Sequence, residues 1–344
     1  MLRELKTAFL RPRLIGFKAT AASGVATLGS GLNEVTVASS GTGIVTSTFK
    51  QPFNRTAITV GALSSADVAA GGYIQYNATP GGVSTQLKTC ANGGSADDGT
   101  VYGLTLGYDS SDATRYRKDA YVVHASRRVS RLLGFQVNTA TSSIVIGGRH
   151  ATLSKTGTGD VTLTLRTAFG NANVVAIPTI VGTTALSIGV ESTSASQVRI
   201  KIFNSGGTAT DATFNLLVFG SNDRDGTYQI GGSVENEKRK PRLIAGHIRY
   251  DGSGVPSIIV GTGDYTLVDT ATGRATLTYK EAFRREAIVV CTLGIGTSVW
   301  PTVTASSASA VEIRNHNAAG TLQDPGSNGG AMFLALGSDD PSEY

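Results

Sequence analysis

The residues of this 344-residue chain that could do chemistry are four histidines, two cysteines and a few acidic clusters. A zinc site needs several His or Cys ligands at close spacing. His124, His150, His247 and His316 are scattered, and neither Cys90 nor Cys291 has a second ligand near it in sequence. The cysteines read as free thiols of a protein made in a reducing cytosol, with a disulfide as the remote alternative. GTGD, at 157–160 and again at 261–264, carries the glycines of a phosphate loop. It precedes a strand pattern and lacks the lysine of such a loop, so it reads as a turn. The acidic stretches SNDRD (221–225) and GSDDPSE (337–343) lack the spacing of a calcium loop. No Ser-His-Asp set or carboxylate pair recurs along the chain, so the expectation is no enzyme, no metal and no cofactor. Trp300 reads as a core or interface residue in preference to a sugar platform.

What does recur is architecture. SSGTGIVTSTFKQPF (39–53), KTGTGDVTLTLRTAF (155–169) and DTATGRATLTYKEAF (269–283) share a Thr-Gly turn, an alternating strand and a closing phenylalanine. Phe53, Phe169 and Phe283 recur at intervals of 116 and 114 residues. The entries RLIGF (13–17), RLLGF (131–135) and RLIAG (242–246) keep a similar period, as do the exit glycines Gly107, Gly220 and Gly337. A period near 115 residues is far too long for a solenoid and suits a small domain. Within each unit the apolar residues alternate with polar ones, as in VTLTL (161–165) and QVRIKIFN (197–204). Turn-forming clusters such as NSGGTATDA (204–212) separate these runs.

The expected fold is therefore all-β: three tandem antiparallel β-sandwich, jelly-roll-like domains joined by basic linkers. The boundaries are an N-terminal arm at 1–12, repeats at 13–112, 131–223 and 242–344, and linkers at 113–130 and 224–241. Leu2, Leu5 and Phe9 would share one face of a short N-terminal helix. Phe53, Phe169, Phe283, Phe214 and Phe333 are the expected core aromatics.

Charge is distributed unevenly. Residues 1–13 carry +3, 113–131 carry +5 and 224–242 carry +2, while the whole chain carries +5, which leaves the domain bodies at −5. Solvated linkers would explain this. Basic arms that dock on an acidic protein surface would explain it too, through Arg13, Arg115, Arg117, Lys118, Arg127, Arg128, Arg131, Lys238, Arg239, Lys240 and Arg242. A sequence pI of 9.2 would suit nucleic acid, but the basic runs carry no base-stacking aromatic motif, so no nucleic acid is expected. Nothing approaches a membrane span, and MLRELKTAFL lacks a signal-peptide core, so synthesis in the host cytoplasm is expected.

The run GTGDVTLTLRTAF…NVVAIPTIV…VRIKIFNSGGTATDATFNLLVFG (157–220) resembles the β-sandwich domains of bacteriophage virion proteins. The second repeat carries this best, with Asp211 and Phe214 in its exit, and the other two depart from it there. The resemblance implies a structural protein of the virion: a capsid decoration protein, a head fibre or a tail part. Decoration or cementing of the outer capsid is the favoured expectation, with the major capsid protein or other virion proteins as partners. Self-association is also open. A tail or baseplate protein contacting host glycans is the alternative, and a bacterial surface adhesin the second. The 18-residue linkers, able to stretch to about 60 Å, favour an extended arm over a closed pseudo-trimer.

Overall fold

The computed structural model describes residues 12–108, 130–221 and 241–338, apart from short stretches within them. The expected N-terminal helix and most of the basic arms lie outside the described residues. The described chain is almost entirely strand, in three sets of eight. Unit 1 holds β1 (Pro12–Ala22), β2 (Val25–Gly31), β3 (Val35–Gly41), β4 (Ile44–Phe49), β5 (Ile58–Leu63), β6 (Tyr73–Tyr76), β7 (Ser84–Cys90) and β8 (Gly99–Tyr108), with a short helix α1 (Ser65–Ala69) after β5. Unit 2 holds β9 (Ser130–Asn138), β10 (Ser143–Ile146), β11 (Ala151–Gly157), β12 (Asp160–Leu165), β13 (Val175–Val181), β14 (Ser187–Thr193), β15 (Gln197–Phe203) and β16 (Thr213–Ser221). Unit 3 holds β17 (Pro241–Tyr250), β18 (Pro256–Gly261), β19 (Tyr265–Ala271), β20 (Arg274–Tyr279), β21 (Ile288–Leu293), β22 (Trp300–Thr304), β23 (Ala310–His316) and β24 (Gly330–Ser338).

Each unit is a sandwich of two four-stranded sheets in the same order. In unit 1 the inner sheet runs β2-β1-β8-β5 and the outer sheet β3-β4-β7-β6, and units 2 and 3 repeat this order. The alternating sequences set the faces. In β12, Val161, Leu163 and Leu165 are buried while Thr162 and Thr164 are half-exposed.

The recurring landmarks now have physical reasons. Phe53, Phe169 and Phe283 are buried, and each lies over its exit glycine. A Cβ on Gly107, Gly220 or Gly337 would sit 2.3, 2.7 or 2.3 Å from the ring, so the pair Phe–Gly is one packing unit. Phe53 N, Phe169 N and Phe283 N each donate a 2.7 Å hydrogen bond to a carbonyl just before the next strand of the outer sheet: Gly82, Ala195 or Ala308. The Thr-Gly turns close on left-handed glycines at φ +64° (Gly43), +62° (Gly159) and +67° (Gly273). Their N–H groups donate to Asp98, Asp211 and Asp324 in the last inter-strand loop of each unit.

Pairs also vary together. In unit 1, Phe17 on β1 covers Gly103 on β8; in unit 3, Phe333 on β24 faces Gly246 on β17, so the ring has changed strands. Phe214 and Phe333 are both fully buried on exit strands, two positions apart in register. On the outer sheets, the ion pair Asp160–Arg199 of unit 2 becomes Arg274–Glu312 in unit 3, with the charges exchanged.

The units do not extend into an arm. β5, β13 and β21 lie at the inner-sheet edges, and each meets the following unit in parallel: Ser64 with Val190, Val181 with Val303, and Leu293 with Gln75. The third contact returns to unit 1, so the ring closes as a pseudo-trimer. This corrects the expected extended arm. Linker length bounds how far units can separate, whereas the edges of β5, β13 and β21 decide whether they do.

The inner sheets are consequently buried on both faces. Leu243, Ile288, Val290, Met332, Leu334 and Leu336, on the far side of unit 3's own core, join one apolar cluster with units 1 and 2. Gln136, Asn215 and Thr179 stand side by side across β9, β16 and β13. They bond in turn to Glu286, Val289 and Cys291, successive points along β21 and its approach. Gly16 and Gly134 permit the approach: a Cβ would sit 2.7 Å from Phe219 Cδ1 and 3.0 Å from Leu336 Cδ2, each in the next unit.

Candidate interaction surface

Three features of the ring are open to a partner: the strand ends where the units begin, the outer edges of the inner sheets, and the point where β5, β13 and β21 converge. Arg13, Arg131 and Arg242 occupy equivalent register positions, opposite Gly107, Gly220 and Gly337. The segments 1–11, 109–129 and 222–240 adjoin these strand ends in the chain, so they connect at equivalent register positions. Arg115, Arg117, Lys118, Arg127, Arg128, Lys238, Arg239 and Lys240 lie in those segments, outside the described residues.

Most of the exposed large aliphatics gather on one kind of strand. Val25 and Leu28 belong to β2, Val145 to β10, Ile258 and Ile259 to β18, with Val255 just before it. These are the outer edges of the three inner sheets. Each strand is separated from its neighbour by a register shift, between Lys18 and Ala19, Ile144 and Ile146, and His247 and Ile248. Such bulges blunt an edge against uncontrolled pairing.

At the convergence the units are joined by side chains the sequence reading did not single out. Between units 2 and 3, Thr179 Oγ1 accepts from Cys291 N at 3.0 Å and donates to Cys291 O at 3.3 Å. Between units 3 and 1, Thr292 Oγ1 accepts from Gly61 N at 2.6 Å and donates to Gly61 O at 2.9 Å. One hydroxyl thus satisfies both backbone groups of an edge strand. In the inner-sheet register the equivalents between units 1 and 2 are Ala62 and Pro178. Ala62 has no hydroxyl and Pro178 has no N–H, so donor and acceptor are missing together. The sequence held one signal: a proline inside the strand-like run VVAIPTIV points to an edge strand.

No family model, curated protein or solved structure matches the chain.

Several of the chemistry-bearing side chains among the described residues are packed into or brace the fold. Cys90 and Cys291 are free and buried, and burial pushes the Cys291 thiol up to about 12. Lys155, with the Gly159 N–H, holds the Asp211 carboxyl below its usual range. His316 is buried with Thr302 Oγ1 at 3.3 Å. Trp300 opens β22, opposite His316 in the ladder.

His247 sits on the inner face of unit 3, at the register position of Gln136 in unit 2. Burial, and secondarily the nearby Arg249 charge, hold its imidazole down at about 4 against 6.5. Between those values the unfolded chain binds a proton that the folded chain refuses. Stability is therefore full above pH 6.5 and falls as the pH drops towards 4, by on the order of 3 kcal/mol. Urea denaturation at pH 7.5 and pH 4.5 measures this. His247→Gln should flatten that part of the acid limb, and an unchanged limb would remove His247 as its source.

Proposed function

We propose that the chain is a non-enzymatic structural protein of a virion that decorates or cements the outer capsid. One observation carries the reading: a single chain closes into a pseudo-three-fold ring, and its basic segments leave from three equivalent strand ends. A ring of this kind suits a partner that presents three equivalent acidic surfaces around a local three-fold, and shells assembled from many copies of one protein contain such positions. The resemblance of 157–220 to phage virion sandwiches supports the same setting. Three attachments on one rigid body also reinforce one another, because the first raises the effective concentration of the others.

The test is binding of the full chain to purified undecorated capsids across a salt series. Replacing Arg127, Arg128 and Arg131 together with Ser should weaken binding and reduce its salt dependence while thermal stability is kept. Unchanged affinity at every salt concentration would return the basic segments to the role of linkers. Glycan-dependent attachment to host cells without capsid binding would instead favour a tail or baseplate protein.

A further inference from the structure

The three seams of the ring are not held alike, although each has one parallel pairing. Between units 2 and 3, bonds are spread along β21 and its approach: Gln136 to Glu286, Asn215 to Val289 O, and the Thr179 clasp on Cys291. The Gly182 N–H adds a bond to Val303 O at 3.0 Å. Between units 3 and 1 the bonds are confined to one short stretch of β5. There Thr292 clasps Gly61, and the Thr59 N–H meets Met332 Sδ. Between units 1 and 2 the clasp positions hold Ala62 and Pro178, which form none. The pairing of Ser64 with Val190 falls beside a register shift, between Val190 and Ser192.

Packing is incomplete at the same seam. A hollow lies there, walled chiefly by Ala62, Leu63 and Val68 of unit 1 and Ile180, Leu186 and Ile188 of unit 2. Atoms that line a void lack contact partners on that side. Much of what crosses the seam is apolar contact, such as Gly16 against Phe219 and α1 against β14. Apolar burial is non-directional, whereas hydrogen bonds hold both distance and angle. Several bonds spread along one strand fix an orientation, and two bonds on neighbouring residues leave a pivot. We infer that unit 1 is the moving part of the ring. It swings on unit 3 about the Thr59–Gly61 stretch, so that its seam with unit 2 parts and recloses while units 2 and 3 stay a rigid pair. Proteins open locally at free energies well below that of global unfolding, where buried contacts and bonds are fewest. The motion does not rest on the attachment reading given above.

Spin-label distance distributions on the full chain, from pulsed electron–electron resonance, test this. Thr36, Thr152 and Thr266 are exposed and equivalent in register, opposite Thr48, Thr164 and Thr278. The native thiols Cys90 and Cys291 are buried. Labels on Thr36→Cys with Thr152→Cys should give the broadest distribution, extended towards longer distances. Thr152→Cys with Thr266→Cys should give the narrowest. Three equally narrow distributions, or the greatest breadth at either other pair, would overturn the joint. Thr292→Ala removes the pivot and should broaden the distribution between labels at positions 266 and 36, whereas Thr292→Ser should leave it unchanged. Thr292→Val serves if the alanine variant loses its fold. A distribution that stays narrow without the hydroxyl would overturn the pivot.

Discussion

Phe169→Ala should lower unfolding free energy by about 3–5 kcal/mol, the cost of emptying a large buried aromatic site. The ring is 4 % exposed and lies over Gly220, which has no side chain of its own to fill the space. Phe53→Ala and Phe283→Ala should cost similar amounts, since both rings cover equivalent glycines. The inner faces of all three units share one apolar cluster. The loss should therefore appear in one cooperative transition and not in that of a single unit. Urea denaturation of the full chain checks both points. A Phe169→Ala protein with unchanged stability would refute the Phe–Gly pairing as the core of the repeat.

Thr292→Ala should cost about 2–3 kcal/mol, because it leaves the N–H and C=O of Gly61 buried without their shared partner. Thr292→Ser, which keeps the hydroxyl, should cost far less. The seam between units 1 and 2 offers a stricter test. Pro178→Ala alone exposes a new N–H to the Ala62 methyl group, and Ala62→Thr alone aims a hydroxyl at a proline. Each should be neutral or destabilising. Combined, they should rebuild the missing clasp, with a favourable coupling of about 1–2 kcal/mol. Strict additivity of the two changes would show that the three seams are not governed by the same pair of positions.

The units were legible because their signals are local. Phe53, Phe169 and Phe283 with Gly107, Gly220 and Gly337 keep their spacing, and period-two alternation marks strands such as β12. The role of Asp211 in its turn was half visible, through its place in the exit motif. Asp98 and Asp324 do the same work in sequences too altered to show it. The closed ring was not legible, since it depends on how unlike segments meet: Thr292 beside Gly61, Thr179 beside Cys291, Asn215 beside Val289. Each is an ordinary strand residue in its own unit. The proline at 178 hinted at an edge, but only the neighbouring Ala62 explains why it is tolerated there. The basic residues read either as solvated linkers or as docking arms, and the register of Arg13, Arg131 and Arg242 adds that they start from equivalent places.

The closure also imposes an order on the protein's synthesis. The Gly61 N–H finds its partner 231 residues later, at Thr292, and the Thr59 N–H finds Met332 Sδ, 273 residues later, at 3.3 Å. Until unit 3 is made, the surfaces of units 1 and 2 that meet it, the Gly61 backbone groups among them, have no partner. Premature termination after unit 2 would leave those surfaces uncovered, with the Gly61 stretch of β5 open to pairing with another chain. The time between synthesis of β5 and of β21 is therefore an interval in which this surface has only solvent to meet.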